Sequence, residues 1–89
     1  MSQLAQCVEG ARGCAGLFRL GRDVEAALQM VEVFDAAQLA LQAAPQEARQ
    51  QWGQLLTWML ACQESQDWLG LADWMEYELV ALLESAAIP

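Results

Sequence analysis

Apolar residues along this chain recur at steps of three and four, and nowhere do they alternate with a period of two over a strand's length, so the pattern predicts helices throughout. Gly21, the Ala44-Pro45 step and Ser65-Gln66-Asp67 punctuate it. The expected fold is all-α, a small antiparallel bundle of three to four helices over about 2–20, 23–43, 46–65 and 68–86, within a single domain spanning 1–89.

The first segment carries Leu4, Val8, Ala11, Ala15 and Phe18 on one stripe, with Ser2 as a candidate N-cap and Gly21 as a stop. Gly10, Gly13 and Gly16 interrupt it, each costing about 1 kcal/mol relative to alanine in a helix interior. Their spacing offers a flat face for close approach by another backbone, or a frayed and loosely docked end; the expectation taken is the frayed end. Arg12 and Arg19, at the stripe's edge, can reach acids on a neighbouring helix. In the second segment Asp23 is placed to cap, and Val24, Ala27, Leu28, Val31, Phe34 and Leu41 form the expected core stripe, with Val33 and Leu39 lying off it.

Pro45 suits the first position of the third helix. There Ala48, Trp52, Leu55, Leu56, Met59, Leu60 and Cys62 fall on the inner arc and Trp58 on its flank. The fourth helix, capped by Asp67, turns Trp68, Leu71, Ala72, Met75, Leu79, Leu82 and Leu83 inward. Leu69, Trp74, Tyr77 and Val80 are expected on its outer face beside Asp73, Glu76 and Glu84. An ordinary solvated face mixes charge signs; this one carries acids only.

Charge deepens that asymmetry. Twelve acids stand against four arginines, with no lysine or histidine, for a net charge of −8. Beyond Arg49 there are six carboxylates, all four tryptophans and no cation. Nucleic-acid binding is disfavoured, because phosphate contacts need clustered Lys or Arg. A hydrophobic fraction of 56% nonetheless argues for a folded chain rather than an acidic tail.

Tryptophans six residues apart, Trp52 with Trp58 and Trp68 with Trp74, are rotated by about 240° on a helix. One of each pair faces the core. The other either covers a flanking gap or anchors a partner. The candidate partner-binding residues are therefore Trp58, Leu69, Asp73, Trp74, Glu76, Tyr77, Val80 and Glu84.

Catalysis finds little purchase. Without His or Lys, the common general bases and His-assisted nucleophiles are missing. Asp73 and Glu76 share a face, but helix-bundle di-metal sites use Glu-x-x-His motifs. The reading is non-enzymatic, with no catalytic residue, metal or cofactor. Cys7, Cys14 and Cys62 read as buried, reduced small hydrophobes. No signal sequence is visible at Met1 to Val8 and no run of eighteen apolar residues occurs, so no membrane association and a cytoplasmic location are expected.

The stretch Asp67-Trp68-Leu69-Gly70-Leu71-Ala72-Asp73-Trp74-Met75-Glu76-Tyr77-Glu78-Leu79 resembles a segment of small acidic helical proteins found with bacterial flagellar genes, similar in kind to flagellar export chaperones of the FliT type. Met75 replaces the usual Leu of that segment, and Trp74 and Gly70 depart from it. The resemblance implies a helical hairpin or bundle that sequesters an aggregation-prone substrate of type III secretion. It brings no catalytic residue.

These observations converge on a protein-binding module: a chaperone or adaptor whose partner carries an apolar, basic amphipathic helix. A structural homodimer without client is the alternative, disfavoured by acid-on-acid packing unless Arg12, Arg19, Arg22 or Arg49 crosses the interface. An acidic mimic of nucleic acid fits less well, since the acids are diluted among apolar residues.

Overall fold

A computed structural model describes residues 3–86 as an all-α bundle. Ser2, the expected N-cap, lies outside the described residues. Helix α1 spans Gln3–Arg19, α2 Asp23–Leu41 and α3 Gln46–Glu64. Helix α4 covers residues 68–86 in three stretches: α-helical Trp68–Asp73, a π-helical turn Trp74–Leu79, then α-helical Val80–Ala86.

The turns explain where the helices stop. Gly21 takes a left-handed φ of 76°, and Arg22 and Gly21 donate their backbone N–H groups to the carbonyls of Leu17 and Phe18 at 3.0 and 3.1 Å. That is the paired arrangement of a Schellman cap, which satisfies carbonyls the helix leaves orphaned. The α3 terminus repeats it with Asp67 N–H on Cys62 O at 2.8 Å and Gln66 N–H on Gln63 O at 3.1 Å. Here the left-handed residue is Gln66, at φ 58°. Asp67 then opens α4, its carboxylate accepting from Gly70 N–H at 3.0 Å.

Two expected caps differ. Asp23 lies inside the first turn of α2, preceded by Arg22, and its Oδ1 is buried without a hydrogen-bond partner. Its charge suits the helix dipole there, but it caps nothing. Pro45, with ψ 154°, precedes α3 as the capping residue rather than serving as its first helical position.

Helix α1 lies at the centre, between α2 and α4, while α3 covers the other side of α4. Contacts run antiparallel: Phe18 stacks on Trp68 at 5.5 Å between ring centroids and Arg12 meets Glu84, so the end of α1 lies beside the start of α4. The frayed first helix is thus a misreading. Cys7, Val8, Ala11, Cys14, Ala15 and Phe18 are all buried. A methyl group at Gly10 would sit 3.3 Å from Val33 Cγ2, and Cys14 Sγ donates to the Ala26 carbonyl at 3.2 Å. Small residues on both helices let their backbones approach closely. Burial pushes the Cys14 thiol up to about 11, as expected for a group that water cannot reach to solvate the thiolate.

That close approach decides which face of α2 is inside. The buried stripe is Ala26, Met30, Val33, Ala37 and Leu41; of the expected stripe Leu41 is buried and Phe34 half-buried, Val33 moves inward from its flank, and Val24, Leu28 and Val31 face outward. Val24, Leu28, Val31 and Leu39 are 77%, 69%, 57% and 59% exposed. Val24, Leu28 and Val31 repeat the four-three spacing of Ala26, Met30 and Val33, displaced by two residues and so by about 200° around the helix, while Asp35 stands where the outer stripe would have its next member. Periodicity cannot choose between them; the small side chains of Ala26 and Ala37 can approach α1 and the leucines cannot.

In α3 the expected arc holds for Trp52, Leu55 and Met59, which are buried, whereas Leu60 is exposed over nearly half its surface. Trp52 packs edge-on to Phe34 and donates its indole N–H to Gln38 Oε1 at 2.7 Å, tying α3 to α2. Cys7 and Cys14 are buried free thiols; Cys62 is only half-buried.

Candidate functional site

The eight candidate residues fall into four places. Val80 belongs to the core at 4% exposure, correcting its assignment to the outer face. On a regular helix it stands nine residues, and so about 180°, from buried Leu71. The π-helical turn inserts one extra residue between them and so retards the phase of everything beyond it by about 100°. Val80 swings inward as a result. A π turn leaves no mark in hydrophobic periodicity, so nothing in the sequence announced it.

Asp73, Glu76 and Tyr77 gather around one cation from α1. Arg19 donates to Asp73 Oδ1 at 2.7 Å and to Glu76 Oε1 at 2.6 Å, and its guanidinium lies 5.8 Å from the centre of the Tyr77 ring. The hydrogen bond from Arg19 is the main reason the Glu76 carboxyl is held below its ordinary value, with the Tyr77 hydroxyl adding to it. The same Glu76 pushes the Tyr77 phenol up. Arg19 in turn is raised, first through its hydrogen bonds to Asp73 and Glu76. Leu69 stands exposed one turn before Asp73. Glu84 is apart from this group, 3.9 Å from Arg12. Asp73, Glu76 and Glu84 therefore find their counter-ions on α1, and this part of the face is less one-signed than its own sequence implies.

Trp58 and Trp74 meet each other. Their rings lie 4.9 Å apart and tilted by 33°, joining α3 to α4. Trp74 is half-buried against the core beside the Cys62 thiol, whose pKa is raised chiefly by burial, then by the nearby Asp67 charge. Trp74 thus fills a flanking gap instead of projecting outward. Trp58, 44% exposed, keeps one side in solvent. It borders an open groove of about 300 Å³ between α3 and α4, lined also by Leu55, Ala81 and Leu82 and rimmed by Gln54 and Glu78. Ala81 and Glu78 were absent from the sequence-derived set because their place beside Trp58 depends on the altered phase of α4.

Among the described residues, no group of three or more His, Cys, Asp or Glu side chains is placed to hold a metal ion. No described helix is long and apolar enough to cross a membrane. No protein-family model matches the chain, and neither a curated protein nor a solved structure is significantly similar to it.

Proposed function

We propose that this protein is a non-enzymatic binding module, a chaperone or adaptor that holds an amphipathic helix of a partner protein. The observation that carries this reading is Trp58: a large aromatic ring, half in solvent, braced from behind by Trp74 and overlooking an apolar-floored groove. A rigid aromatic beside a shallow cleft anchors partner side chains at little entropic cost. The likeness of residues 67–79 to proteins of flagellar gene clusters makes a secretion substrate of the type III kind the partner of choice, and a bacterial cytoplasm the setting.

Trp58 is the residue to perturb, since removing half-buried Trp74 would also damage the α3–α4 contact. A helical partner that co-purifies with the protein should be lost on Trp58→Ala while circular dichroism stays unchanged. Undiminished recovery by that variant would refute the groove as the binding surface. A homodimer through this face is opposed by Glu78 at the groove's rim, which a twofold contact would bring near its own copy.

A further inference from the structure

The surface best suited to a basic helix is not on α4. There Asp73 and Glu76 are taken up by Arg19 and Glu84 by Arg12. Helix α2 differs. It presents Val24, Leu28 and Val31 outward as an apolar stripe about two turns long, with Leu39 further along the same face beyond Asp35, and Leu20 is exposed in the turn before it. Glu25, Glu32 and Asp35 are exposed along the same helix, and among the described residues Glu32 and Asp35 make no ion pair. Glu25 is shared with Arg22 at 3.4 Å. An apolar stripe of this extent on a small protein marks an interaction surface, and unmatched acids beside it set the sign of what docks.

We infer that the outer face of α2 docks an amphipathic helix of another protein, one whose apolar stripe is flanked by Lys or Arg. A second copy of this chain is poorly equipped for the role. It has no lysine, and three of its four arginines, Arg12, Arg19 and Arg22, already serve internal ion pairs. Packing α2 on α2 would bring Glu25, Glu32 and Asp35 of both copies together without new cations. A basic helix neutralises them while covering the leucines. This inference shares with the preceding reading the idea of a helical partner, but it concerns another face and stands or falls separately.

The test uses a fluorescent synthetic helix about 18 residues long, with Leu at i, i+3, i+4 and i+7 positions and Lys on the flanks. A Glu-flanked counterpart and a scrambled Lys peptide of the same composition serve as controls. Anisotropy titration should show saturable binding of the Lys peptide alone. Leu28→Glu should weaken it about tenfold or more, and Glu32→Gln with Asp35→Asn should weaken it and flatten its salt dependence. Val24→Ser provides a second, uncharged probe of the stripe. Trp58→Ala should leave the peptide's affinity unchanged, so that loss of a co-purifying partner in that variant speaks to the α3–α4 groove alone. Equal binding by the scrambled peptide, insensitivity to both Leu28→Glu and Val24→Ser, or a dimer that Leu28→Glu dissociates would each overturn the inference.

Discussion

Gly10 and Gly16 are six residues apart on the same helix, yet replacing them with alanine should have opposite outcomes. In an open helical position Gly→Ala stabilises by about 1 kcal/mol, because alanine loses less backbone freedom on folding. Gly16 is such a position: a methyl group there meets nothing within 4 Å. For a domain of this size the gain corresponds to a rise in Tm of about 4–8 °C. At Gly10 the added methyl lies 3.3 Å from Val33 Cγ2, inside the ~3.5–4.0 Å optimum for carbon pairs. Val33 is buried and β-branched, so it has little rotational escape. Relief then requires α1 and α2 to separate, and overpacking of this kind costs about 1–3 kcal/mol, cancelling or exceeding the helix gain. Thermal and urea unfolding followed by far-UV circular dichroism, at matched concentration, should place Gly16→Ala above the wild type and Gly10→Ala at or below it. Equal stabilisation by both would show that α1 and α2 do not cross closely at Gly10. The choice of the inward face of α2 would lose its explanation with it.

Two further outcomes test local features. Gln66→Gly should stabilise by about 0.5–1 kcal/mol, because an L-residue pays about 1–2 kcal/mol in the left-handed region while glycine's extra unfolded-state freedom returns part of the gain; a loss of stability in urea would refute the cap geometry. Since Arg19 holds the Glu76 carboxyl below its ordinary value of 4.5, the stability this pair contributes is present above that pH and is lost as pH falls through the lower folded value. Arg19→Gln should therefore flatten the acid limb of the stability curve below pH 4.5, and its cost near neutrality should shrink with added salt; an unchanged acid limb would show that Arg19 is not the partner.

The inner arc of α4 was legible because its large apolar residues occupy one face and acids most of the other, and Leu71, Ala72, Met75, Leu79, Leu82 and Leu83 are all buried as expected. The π-helical turn had no such signature, and it is what brings Val80 inward as well. Helix α2 failed for a different reason. It is apolar on two opposite faces, and the smaller set won because α1 offers glycine and alanine at the crossing. Arg19 and Arg12 were recognisable as cations able to reach a neighbouring helix; which acids they would meet depended on an antiparallel alignment of segments more than fifty residues apart.

The central place of α1 has a consequence for synthesis on the ribosome. Helix α1 buries its residues against α2, which follows it, and against α4, which is made only after α3, and Phe18 has no stacking ring until Trp68 has been added. While α4 is still missing, the α1–α2 hairpin carries one closed interface and one open apolar wall. Until α4 emerges, such a nascent chain exposes the wall of α1 that α4 covers. Gene truncations that remove α4 should consequently yield insoluble or degraded chains instead of a smaller working domain.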